Sequence, residues 1–197
     1  RFADAVRRHA RTPNDLMIAW RTHTVCWAAR NCLAKPGDFV EAGTADGYTP
    51  LVMLDYLDAV RDRRFWLYDA FDLPISVGFG VSSGAALSYD AIENRFAPFR
   101  NVELVRGILP DSLDRGPETI AFLHLDLGEE TAEAGTLSWA LPRLAPGGWI
   151  VAESYGFLDV YERIKPALDA LAGRHGCYFY ECPTGQGILV KPDGRAR

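Results

Sequence analysis

Short apolar runs alternate with helical stretches along most of this chain. "DFVEAG", "RFWLYDAF", "NVELVRG", "TIAFLHLD" and "WIVAES" read as strands, and the segments between them place apolar residues at helical spacing. Strands divided by helices of about a dozen residues pair in parallel, since a crossover of that length returns the chain to the same end of the sheet. The last two runs, "CYFYEC" and "GILVKP", are joined around Pro183–Gly187. That is too short for a crossover, so they form an antiparallel hairpin. The expected fold is α/β, a doubly wound, seven-stranded, mostly parallel, Rossmann-like sheet with a C-terminal antiparallel hairpin.

Helices are expected at 3–10, about 15–33, near 88–98, over "TAEAGTLSWALPRL" and at 159–172. A further helix starts at "TPLVMLDYLDAV", with Thr49 as N-cap and Pro50 at the first helical position. No repeat or linker divides the chain. Residues 1–34 are read as N-terminal helices that cap the sheet and offer a homodimer contact, 35–192 as the sheet domain and 193–197 as a tail. Trp20 and Trp27 share a helix face and fit core packing best.

The bulk properties exclude several function classes. A net charge of −5 over 197 residues leaves no basic field for nucleic acid or an anionic membrane. No apolar stretch approaches the roughly 20 residues that span a bilayer, and the basic start does not read as a signal peptide. The four cysteines, Cys26, Cys32, Cys177 and Cys182, form no C-x-x-C pair and have no histidine at zinc-ligand spacing. They are expected to be reduced thiols of a cytoplasmic protein.

Chemistry concentrates at the strand ends. Glu41, Asp69, Asp126 and Glu153 close the first, second, fourth and fifth strands, at the edge where open α/β sheets bind ligands. Acids gathered at one rim repel each other, so stability alone does not call for them. The turn after the first strand reads E-x-G-x-x-x-G from Glu41 to Gly47. A dinucleotide site wants G-x-G-x-x-G, and Ala45 stands where its second glycine would admit a pyrophosphate. The turn suits a ligand without a pyrophosphate that offers positive charge or hydroxyl and amine donors, as S-adenosylmethionine does.

"PGDFVEAGTADG", "WLYDAFDLP", "VELVRGILPDSL", "FLHLD", "LPRLAPGGWIVAESYG" and "RHG" run in the order found in one group of enzymes. On these motifs the chain resembles class I S-adenosylmethionine-dependent methyltransferases, and more narrowly the macrocin O-methyltransferase family, which decorates sugars and phenols of antibiotics. The resemblance implies cofactor contacts by Glu41, Gly43, Thr44, Asp69, Phe71, Gly107, Ile108 and Asp126. It also implies Asp126 as catalytic base and a Mg²⁺ held by Asp126, Glu153 and the residue after it. That residue is Ser154, not an acid, and one fewer charge weakens such a site. Relatives often carry a histidine in the loop after the second strand; residues 72–99 contain none.

His124 sits two residues before Asp126 on a buried strand and so shares its face; it is either a satisfied core histidine or a partner that orients Asp126. His9 and His23 fit a surface role, and His175 a helix end. The loop "DLPISVGFGVSSGAAL", with its apolar residues, reads as a lid over an apolar acceptor, and Tyr155, Phe157 and Tyr161 as an opposite wall or as core. The expected activity is methyl transfer to a hydroxyl of a small molecule. A nicotinamide-dependent oxidoreductase and a non-catalytic methyltransferase-like binding subunit are the alternatives.

Overall fold

In the computed structural model residues 1–71, 88–156 and 162–193 are described. Seven strands build one sheet: β1 (Asp38–Ala42), β2 (Phe65–Asp69), β3 (Val102–Arg106), β4 (Ile120–Leu125), β5 (Leu144–Ala152), β6 (Phe179–Glu181) and β7 (Gly187–Val190). Their order is β3-β2-β1-β4-β5-β7-β6. The first five pair in parallel, and β7 runs antiparallel to both β5 and β6. This is the doubly wound sheet with a reversed C-terminal hairpin that the alternation predicts.

Strand side chains alternate between faces, so each strand feeds two cores. Phe39, Phe65, Phe122 and Val151 pack on one side with residues of α1 (Phe2–His9), α3 (Ala19–Asn31) and α4 (Tyr48–Tyr56). Val40, Tyr68, Leu123, Leu125 and Ile150 pack on the other, against Leu137 and Leu141 of α6 (Glu130–Arg143) and Leu168 of α7 (Ile164–Arg174). All six residues of β4 are buried, as expected of a central strand covered on both faces. Each fully buried Leu, Ile or Phe contributes about 1.5–3 kcal/mol, so these layers fix the height at which the strand ends stand.

Several boundaries differ from expectation, each for a local reason. The N-terminal helical stretch divides into α2 (Pro13–Met17) and α3, separated by Ile18. A capping box starts α2: the Thr12 hydroxyl accepts from the Asp15 N–H while Asp15 accepts from the Thr12 N–H. Helix α4 is capped by Gly47 with φ 82°, not by Thr49, and Pro50 falls in its first turn, where its missing N–H costs no helical bond. Strand β5 begins already at Leu144, and Pro142 lies within the last turn of α6. Helix α5 (Tyr89–Phe96) starts on Ser88, whose hydroxyl accepts from the Ala91 N–H. The expected lid falls in 72–87, and Phe157 and Tyr161 in 157–161; both segments lie outside the described residues.

Candidate active site

Parallel pairing brings the C-terminal ends of β1, β2, β4 and β5 to one edge. Register sets Glu41 beside His124 and His124 beside Val151, so Glu153, two residues on, emerges on the same face. Backbone bonds continue past the strands: the Asp126 N–H donates to Ala42, and the Glu153 N–H to Leu125. The four acids therefore do gather at neighbouring strand ends. Their side chains do not share one environment.

Glu41 and Glu153 belong to a buried polar chain. His124 is 2% exposed and lies between them, Nδ1 3.3 Å from Glu41 Oε2 and Nε2 3.3 Å from Glu153 Oε2. The contact to Glu41 lacks the direction of a hydrogen bond, so those two atoms attract as charges only. Burial alone disfavours the imidazolium, but the carboxylates of Glu41 and Glu153 outweigh it and raise the His124 pKa well above its ordinary value. Burial pushes the Glu41 carboxyl upward, and His124 offsets part of that rise.

Glu153 has further partners. Arg21 of α3 donates Nε to Glu153 Oε1 at 2.5 Å and Nη2 to the Glu153 carbonyl at 2.6 Å. Gln186, fully buried ahead of β7, donates Nε2 to Glu153 Oε2 at 2.6 Å. Burial would raise the Glu153 carboxyl, yet His124 and Arg21 together hold it well below the usual carboxylate range. His124 thus serves Glu153 and Glu41 rather than hydrogen-bonding Asp126.

Asp69 and Asp126 are placed differently. Asp69 Oδ2 accepts from the Ala45 N–H at 2.7 Å and Oδ1 from the Phe71 N–H at 2.8 Å. It joins the β1–α4 turn to its own loop, at the two non-glycine residues with positive φ among the described residues, Ala45 (48°) and Phe71 (51°). Strained backbone of this kind persists where surrounding structure holds it, often beside ligands. Each carboxylate oxygen keeps a second lone pair for a hydroxyl. The Asp126 side chain reaches solvent although protein surrounds it on most sides. Burial and the neighbouring charge of Glu153 raise its carboxyl to about 7, against the pull of His124.

The other expected cofactor residues line the same edge. Gly43 (φ 94°) crosses the end of β4 at close range, and the Thr44 hydroxyl is buried on the Tyr68 carbonyl. The Gly107 N–H donates to the Asp69 carbonyl, and Ile108 is 48% exposed at the rim. The Phe71 ring packs in the core 5.5 Å from the Tyr89 ring, and its N–H is already given to Asp69. Tyr155 is core as well: its hydroxyl donates to Asp169 at 2.6 Å and its ring lies on Phe179. His9 pairs with Asp55, His23 meets Phe2 edge-on, and His175 caps α7.

The expected Mg²⁺ set does not assemble. Glu153 is engaged by Arg21, Gln186 and His124, Ser154 is a buried neutral hydroxyl, and no cluster of three or more His, Cys, Asp or Glu suited to a metal occurs among the described residues. The donor chemistry therefore does not fit a Mg²⁺ ion, which wants near-octahedral oxygen coordination.

Three residues escape a motif reading. Arg21 and Glu133 sit in otherwise apolar helical stripes, with Val25, Ala28 and Cys32 and with Leu137 and Ala140. A charge in such a stripe signals a buried partner. Glu133 supplies one by accepting from the Leu127 and Gly128 N–H groups, which fixes the loop after Asp126. Gln186 gives no such signal. A groove of about 640 Å³, lined by Trp27, Trp149, Tyr178, Tyr180 and Cys182 among others, includes none of the strand-end acids.

Comparison with known proteins adds the family. A sequence model described as a methyltransferase domain matches residues 40–155. The chain is 27% identical over 139 residues to demethyldecarbamoylnovobiocin O-methyltransferase of Streptomyces niveus, covering 61% of this chain and 53% of that protein. It is 26% identical over 162 residues to mycinamicin III 3''-O-methyltransferase of Micromonospora griseorubida, covering 72% and 62%. It thus spans little more than half the length of the first of these relatives. Among solved structures, the O-methyltransferase NovP superposes with a TM-score of 0.73 at 21% identity, over 87% of this chain and 79% of that one. That likeness speaks for the fold.

Proposed function

The chain belongs to this methyltransferase-domain family, and from that premise we propose that it transfers a methyl group from S-adenosylmethionine to a hydroxyl of a small molecule, a sugar or phenol of a secondary metabolite. The observation that carries the reading is the contrast among the strand-end acids. Glu41 and Glu153 are spent on His124, whereas Asp126 alone combines solvent access with a carboxyl raised to about 7. A base near neutrality takes a proton most effectively at working pH.

When bound, the donor supplies an electrophilic methyl group on a sulfonium. The acceptor oxygen forms the new O–CH₃ bond as the S–CH₃ bond breaks, and its proton passes to Asp126. The remaining residues position. Asp69 offers its free lone pairs to the ribose hydroxyls while its bonds to Ala45 and Phe71 hold both loops. Gly43 and Thr44 present backbone, Gly107 and Ile108 flank the adenine, and Glu41 backs the methionine part from its buried place beside His124. Well-oriented reactants gain roughly 7–11 kcal/mol, so fixed geometry does most of the work. A homodimer through the N-terminal helices belongs to the same proposal, and light scattering reads it directly.

Calorimetry with S-adenosylmethionine, its demethylated product and NAD, followed by incubation of labelled donor with phenols and glycosides, tests the assignment. Donor binding with label transfer supports it. Binding of NAD instead would revive the oxidoreductase alternative. Ser154 in place of an acid favours one second reading, a subunit that binds donor without turnover; label that never transfers across a broad panel supports that one.

A further inference from the structure

We infer, resting on the methyltransferase reading, that the Arg21 guanidinium holds the position at Glu153 that a divalent cation would need, and that this protein binds donor and acceptor without one. Arg21 is 6% exposed and meets Glu153 through two nitrogens, one on the carboxylate and one on the backbone carbonyl. Its third nitrogen, Nη1, donates to the Thr184 carbonyl at 2.9 Å. A planar donor fork fixed at three oxygens is anchored, not swinging. The second carboxylate oxygen of Glu153 is taken by Gln186, with His124 beside it.

Charge leads to the same conclusion. Three acids with a dication carry the same net charge as Asp126 and Glu153 with a guanidinium on Glu153. Replacing an acid by Ser154 and a dication by Arg21 is therefore one coordinated change rather than a damaged metal site. A metal entering here would have to evict a buried guanidinium from its hydrogen bonds or sit beside it in a low-dielectric site, and both are strongly unfavourable. Arg21 is a positioning residue: it orients Glu153, whose charge faces Asp126, and touches no reacting atom.

The test uses Mn²⁺ as probe, its free-ion electron paramagnetic resonance signal as readout, and calorimetry with S-adenosylhomocysteine as a separate measurement. Wild-type protein should leave the Mn²⁺ signal unchanged, and chelator should not alter product affinity. Ser154→Asp alone should gain no Mn²⁺ site, because Arg21 still holds Glu153. The double variant Arg21→Gln/Ser154→Asp should bind Mn²⁺ at least about tenfold more tightly than wild type, in the range by which residues behind metal ligands tune affinity. Stoichiometric Mn²⁺ binding by wild type, or a site created by Ser154→Asp with Arg21 present, overturns the inference and needs no double variant to fold. Failure to bind S-adenosylhomocysteine refutes the methyltransferase reading instead, a different result from either Mn²⁺ outcome.

Discussion

A methyl group placed on Gly43 would lie 1.9 Å from the carbonyl oxygen of Asp126. The β1–α4 turn thus crosses the end of β4 backbone to backbone, at a φ of 94° that side chains rarely adopt. Gly43→Ala should cost about 2–4 kcal/mol of stability from strain and overpacking together, read by urea denaturation. Loss of donor binding should accompany it. An alanine variant as stable as wild type would mean the two loops stand further apart.

Asp126 must be ionised to accept a proton, and its carboxyl is raised to about 7. The rate at low substrate should therefore climb with pH and level off above about 7. Asp126→Asn should lose roughly 10²–10⁴ in turnover, lose that pH dependence and still bind S-adenosylhomocysteine. A variant of normal rate would remove Asp126 from the chemistry.

Asp69→Ala should weaken donor binding by roughly 1.5–3 kcal/mol, the worth of hydrogen bonds to a charged group. It also frees the Ala45 and Phe71 N–H groups from the carboxylate that holds them. Calorimetry that finds unchanged affinity would assign the ribose contact elsewhere.

Glu133 is fully buried, and burial raises its carboxyl to about 7 from an ordinary 4.5, against the two N–H groups it accepts. A group whose pKa rises on folding contributes stability below pH 4.5 that is lost as pH climbs through about 7. Glu133→Gln keeps the acceptor without the charge. It should flatten stability across that window and exceed wild type by an amount of order 3 kcal/mol above it, measured by denaturation at a series of pH values.

The cysteines provide a chemical check on the packing. Cys26, Cys32 and Cys177 are buried and Cys182 is partly open; burial raises the Cys32 thiol to about 12. A thiol reagent should label Cys182 first and the other three only on unfolding. Rapid labelling of all four at native conditions would contradict the two-core arrangement.

The layout of strands was legible because β4 is apolar but for His124 and the crossovers have helical length, features that local pattern carries. That His124 and Asp126 share a face was read from the period of two along the strand, whereas the pairing of Glu41 with His124 came only with the strand register. What pattern could not give was partnership over distance. Arg21 meets Glu153 across 132 positions of sequence, and Gln186 arrives from the far hairpin. Those two bonds turn an acid expected at a metal into a bound structural anion. Thr49 misled as a helix cap because its type fits, while Gly47 alone allows the left-handed turn that the backbone takes.

The insertion of β7 between β5 and β6 has a consequence for biosynthesis. Until Gly187–Val190 leave the ribosome, Trp149–Ala152 present a bare row of amide and carbonyl groups along an apolar strand. Any extended peptide nearby can zip onto such a row. Translation stalled before Gly187 would therefore yield a nascent chain prone to self-association, and a chaperone that shields that one rim is the helper this topology most needs.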